Sequence, residues 1–123
     1  MELPHYDPRE DALREHGLGF PEATEDFPWG HRGLKVRGKL FAIMGADERG
    51  FFLTVKLPRS KDEALLLPGA APTGYGLGRS GWVSLSFGPE VEPPMERLRA
   101  WMAESYAAVA PKRLARALAG AGS

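Results

Sequence analysis

The chain has 123 residues, balances 16 Lys and Arg against 16 Asp and Glu, and contains no cysteine. That length suits one domain, residues 1–123, with a core of its own, and the missing thiols exclude disulfides, thiolate nucleophiles, zinc fingers and iron–sulfur clusters. No apolar run reaches the roughly 20 residues of a membrane helix, and the opening MELPHYDPRE lacks the basic and apolar regions of a signal peptide, so a cytoplasmic protein without membrane contact is expected.

In chain order, Asp7-Pro8-Arg9-Glu10 predicts a helix start, with Asp7 as cap, Pro8 in the first turn and Glu10 completing a capping-box pattern. The helix should reach His16, whose cationic imidazole suits the last turn, and stop at Gly17. Short strands are expected at Ala23–Phe27, Leu34–Val36 and Lys39–Met44, the last two joined by an Arg37-Gly38 hairpin turn. Asp47 to Gly50 is the next turn, and Phe51–Leu57 alternates as a strand. Ser60 should cap a short helix to about Leu67, with Leu65, Leu66 and Leu67 as its buried end. Residues 68–81, rich in Gly and Pro, read as a loop, and Trp82–Phe87 as the last strand. Met95–Val109 places Met95, Leu98, Met102, Ser105, Tyr106 and Val109 on one helical stripe, and Pro111 opens a final helix. The sum is α+β: an antiparallel sheet meander of about five strands packed on N- and C-terminal helices.

Charge is regional. Residues 1–30 carry eight acids against two bases, and residues 31–61 carry eight bases against two acids. Such polarity can create an anion-attracting surface on a neutral protein; alternatively, the acidic helix face and the basic strands neutralise each other.

Catalytic signatures are missing from the sequence. Gly74-Tyr75-Gly76-Leu77-Gly78 leads into a strand, whereas a dinucleotide loop must leave a strand and enter a helix. His5, His16 and His31 offer no ligand pair at metal-binding spacing. Ser80, Ser84 and Ser86 lack the strand-to-helix elbow of a serine nucleophile. What remains is a surface. With Leu53, Val55, Val83 and Leu85 facing the helices, Thr54, Lys56, Trp82, Ser84 and Ser86 share the opposite face. Cations beside aromatic platforms are what nucleic acid or a phosphorylated ligand requires.

Glu25-Asp26-Phe27-Pro28-Trp29-Gly30-His31, then Leu34 to Ala42, LKVRGKLFA, closely resembles the MmcQ/YjbR family, as do Trp82-Val83-Ser84-Leu85 and Glu104-Ser105-Tyr106. The likeness runs in order from Leu13 to about Leu114. It implies a compact frataxin-like α+β domain and a family label of DNA-binding protein. One departure is that Tyr75 is followed by Gly76, where the family often has a tyrosine-histidine pair. Iron binding does not carry over, because Glu10, Asp11 and Glu15 are too small an acidic cluster.

The leading expectation is therefore a non-enzymatic binding protein for DNA. Lys35, Arg37, Lys39, Lys56 and Arg79 would meet phosphate, Trp29 or Trp82 would stack, and His31 would stand beside them. The alternatives are a small-molecule (metabolite or drug) site walled by Trp29, Tyr75 and Trp82, or a protein-interaction domain using the first or last helix. No cofactor, metal or catalytic residue is expected, and the expected state is a monomer.

Overall fold

The computed structural model describes residues 7–27, 31–74 and 77–121. Its elements are α1 (Pro8–Leu18), β1 (Ala23–Asp26), β2 (Arg32–Val36), β3 (Lys39–Asp47), β4 (Gly50–Lys56), α2 (Lys61–Ala64), β5 (Ala70–Pro72), a 3-10 turn (Leu77–Ser80), β6 (Trp82–Phe87), α3 (Met95–Val109) and α4 (Lys112–Ala121). The strands form one antiparallel sheet in the order β1-β2-β3-β4-β6-β5. The fold is α+β with the helices on one face, as the hydrophobic alternation predicts.

Register explains which face is buried. Leu34, Ala42, Val55 and Val83 align across β2, β3, β4 and β6, and Met44, Leu53 and Leu85 form the next row. All seven are fully buried. Leu13 of α1 and Leu98, Met102 and Tyr106 of α3 close over them. Phe20, after α1, stacks on Phe41 and meets the Tyr106 ring edge-on. This single apolar layer is what ties the N- and C-terminal helices to the sheet.

Several expectations need correction. The loop at 68–81 contains a sixth strand: Ala70–Pro72 pairs with Val83–Leu85 at the sheet edge. Three residues ending in proline give too weak an alternation to announce a strand, and the proline is tolerated because β5 is an edge. Helix α1 runs through Gly17 to Leu18, because Gly17 is buried where a side chain would meet Leu34 and Met102. Asp7 caps it by accepting from the Arg9 backbone N–H at 2.9 Å, but the Glu10 carboxylate reaches Arg32 instead of the cap. His16 is half-buried, edge-on to Phe20, and burial together with Arg99 lowers its pKa, so it is not the cationic helix end expected. Helix α2 is only Lys61–Ala64, and Leu66 is 84% exposed. Ser60 does not cap it with its side chain; the Ser60 hydroxyl donates to Glu104 at 2.6 Å.

The Glu104-Ser105-Tyr106 segment fastens α3 to the sheet. Glu104 accepts from the backbone N–H groups of Arg59 and Ser60 at 2.9 and 3.0 Å. The Ser105 hydroxyl accepts from the Lys56 N–H at 2.8 Å and donates to the Phe41 carbonyl at 2.5 Å. The Tyr106 hydroxyl donates to the Pro21 carbonyl at 2.7 Å. Ser105 enters where the ladder opens: β2–β3 pairing steps from Leu34↔Ala42 to Lys35↔Leu40, leaving Phe41 as a bulge.

Candidate functional site

The face of the sheet away from α1 and α3 carries Ile43, Thr54 and Ser84 in one row, Gly45, Phe52 and Ser86 in the next, and Lys56 opposite Trp82 beyond. The Ser84 hydroxyl lies between those of Thr54 and Thr73, 3.0 Å from each. Ser84 thus centres a cross-strand hydroxyl chain whose hydrogen bonds link β4, β6 and the end of β5.

Strand direction divides the predicted site residues into two groups. Lys35, Arg37, Lys39, Lys56, Arg79 and Trp82 gather at one end of the sheet, where β2 and β4 finish and β3 and β6 begin. Arg37 and Gly38 make the two-residue turn there, as the sequence predicts, and Arg37 stands at positive φ together with Gly38. His31 lies at the other end, beside β3 and β4. Trp29 and Tyr75 fall outside the described residues, so the stacking and pocket-wall roles expected of them are not placed.

Within the gathered group the charges are unequal. Lys35 is ion-paired with Asp26 at 2.8 Å, and Arg37 with Glu22 at 2.6 Å. Hydrogen bonding from Lys35, joined by the Phe27 N–H and the Lys35 charge, holds the Asp26 carboxyl below its ordinary range. Hydrogen bonding from Arg37 does the same for Glu22. At the other end of β2, Arg32 binds Glu10 and Glu25, and Arg14 also binds Glu25. The acidic first segment and the basic second segment thus neutralise each other at β1 and β2. Among the described residues, the Lys39, Lys56 and Arg79 side chains form no ion pair. Lys39 and Arg79 are exposed and Lys56 is partly so.

At the opposite end a cleft of about 560 Å³ is bordered by His31, Phe52, Arg49 and Ser86. The His31 and Phe52 rings meet edge-to-face at 5.1 Å. Gly45 makes that contact possible, since a Cβ there would lie 2.8 Å from the Phe52 ring and 3.3 Å from His31 Nδ1. Phe52, Gly45 and Arg49 were not among the expected site residues. The usable signal was a glycine inside a strand, which marks close approach.

Among the described residues no group of three His, Asp or Glu side chains could hold a metal ion, and no helix is long and apolar enough to cross a membrane. No curated protein matches the chain. The model of the YjbR family matches residues 18–108, from the end of α1 to the end of α3, and so takes in the whole sheet and the Glu104-Ser105-Tyr106 fastening. The chain belongs to the YjbR family.

Proposed function

We propose that this protein is a non-enzymatic DNA-binding module that uses the helix-free sheet face at its basic end. The observation that carries the reading is the cross-strand pair Lys56↔Trp82, with Arg79 three residues before Trp82 and Lys39 at the start of β3 on the rim of the same end. An aromatic residue stands opposite a lysine there, and Lys56, Arg79 and Lys39 form no ion pair among the described residues, which is the chemistry of a phosphate and base contact. The DNA-binding label of the family gives the same direction.

Salt dependence tests the reading quantitatively. With three phosphate contacts, raising salt from about 50 to about 200 mM should weaken binding roughly 40-fold; if Lys35 and Arg37 leave Asp26 and Glu22 to bind as well, five contacts give roughly 500-fold. Fluorescence anisotropy on single-stranded and duplex oligonucleotides of one sequence measures the slope. Lys56→Glu with Arg79→Glu should weaken binding more than about tenfold at low salt. Binding that ignores salt and this double change rejects the surface.

A second reading, a small-molecule ligand, is favoured by the His31–Phe52 cleft, whose volume falls in the range of ligand sites. Metabolite-induced shifts confined to His31, Gly45 and Phe52 would support it over DNA.

A further inference from the structure

On the helix side of the sheet, away from the proposed DNA surface, α3 and α4 do not close on each other completely. Ala100, Ala103 and Ala107 of α3 face Ala115 and Leu118 of α4 across a trough of about 520 Å³, completed by Phe20. The volume matches that of a small-molecule site.

Three nitrogen-bearing side chains border this apolar space: His16, Arg59 and Arg99. Among the described residues the Arg59 and Arg99 guanidinium groups make no hydrogen bond or ion pair, whereas Arg9, Arg14, Arg32 and Arg37 all bind carboxylates. The carboxylate in the lining is Glu104, and its oxygens are taken by the Arg59 and Ser60 N–H groups and the Ser60 hydroxyl. The trough therefore combines apolar walls with two guanidinium groups whose hydrogen-bond donors are unused among the described residues, although the Arg59 charge also acts on the Glu104 carboxylate; this arrangement selects an anion with an apolar body.

We propose that this trough binds an amphipathic carboxylate, an aliphatic or aryl acid whose hydrocarbon lies along the α3 and α4 alanines while its carboxylate meets Arg59 and Arg99. A guanidinium fork matches a carboxylate in two parallel hydrogen bonds. His16 contributes a polar edge without a charge at neutral pH, since burial and Arg99 lower its pKa. The site is independent of the sheet face, so failure of DNA binding leaves it standing.

Titration of the ¹⁵N-labelled full chain with octanoate tests it, with 1-octanol as the tail alone and acetate as the head alone. Octanoate should shift the amides of residues 100–107 and 115–119, and the Arg59→Gln, Arg99→Gln double variant should bind it at least about fivefold more weakly. Acetate and octanol should each bind more weakly than octanoate. Equal binding of octanol, unchanged binding by the double variant, or no shift in these segments up to about 5 mM, well above a millimolar dissociation constant, overturns the proposal. Arg59 is exposed and Arg99 partly so, and an unchanged amide spectrum of the unliganded variant excludes misfolding as the cause of lost binding.

Discussion

Arg32 of β2 and Glu25 of β1 are ion-paired on the helix side of the sheet, and the same guanidinium donates to Glu10 of α1 at 2.9 Å. One half-buried cation therefore joins an edge strand to the first helix. Burial works against the charged forms of both Arg32 and Glu25, but the hydrogen bonds outweigh it: the Arg32 pKa is raised, and Arg32 with Arg14 lowers that of Glu25. Lys35–Asp26 is a different case, because the Asp26 side chain is 57% exposed. Arg32→Gln should cost about 1.5–3 kcal/mol, the value of hydrogen bonds to charged groups, and Lys35→Gln less, within the roughly 0.2–1 kcal/mol of surface pairs. Urea denaturation of both variants checks the contrast; equal losses would refute it.

Ser105 supports a second prediction. Its hydroxyl supplies a donor to Phe41 and an acceptor to Lys56, at the residue that bulges from the β2–β3 ladder and just beyond the last β3–β4 pair, Ala42↔Val55. Ser105→Ala leaves a buried carbonyl and an N–H without that partner and should destabilise the fold by about 1–3 kcal/mol. The Lys56 amide should exchange with solvent faster in the variant. An alanine variant with wild-type stability and unchanged Lys56 exchange would show that water replaces the hydroxyl without loss.

The alternating patterns of β4 and β6 and the stripe of α3 were legible because each buries one face against a single apolar layer: Val83, Leu85 and Phe87 point in, and Ser84 and Ser86 point out. β5 was not legible, since its pairing comes from β6 and not from its own three residues. The basic run at 31–61 could be counted but not interpreted. Whether Lys35 is available depends on Asp26 standing diagonally across the β1–β2 pair, and that is a fact of register. His31 was grouped with the lysines by proximity in sequence, whereas antiparallel pairing sends it to the far end of the sheet.

Glu104 sets an acid limb for stability. Burial alone would raise its pKa, but hydrogen bonds from the Ser60 hydroxyl and the Arg59 and Ser60 N–H groups, with the Arg59 charge, bring it below the ordinary glutamate value. A carboxyl depressed in the folded state stabilises the fold above its unfolded pKa, near 4.3, and this contribution is lost as pH falls through the lower folded value. Glu104→Gln should therefore lower stability at pH 7 and flatten the fall in melting temperature below about pH 4. Parallel wild-type and variant curves across that range would remove Glu104 from the acid response.

Gly50 opens β4 after the Asp47–Gly50 turn, at φ +138°, where a Cβ would strike the backbone carbonyl of Phe87 on β6. Two costs fall on any replacement: a backbone conformation that side-chain-bearing residues rarely adopt, and a collision with main chain that no rotamer change relieves. Gly50→Ala should cost about 2–4 kcal/mol, combining backbone strain of about 1–3 kcal/mol with the overpacking of a tight site. The damage should concentrate at Phe51 and Phe87, whose rings stack 6.4 Å apart beside the turn. At Gly45 the obstruction is the ends of the Phe52 and His31 side chains, which can turn aside, so Gly45→Ala should cost about 1 kcal/mol and shift His31 resonances instead. Thermal melts of both variants decide the order; a Gly45→Ala loss equal to or larger than that of Gly50→Ala would contradict it.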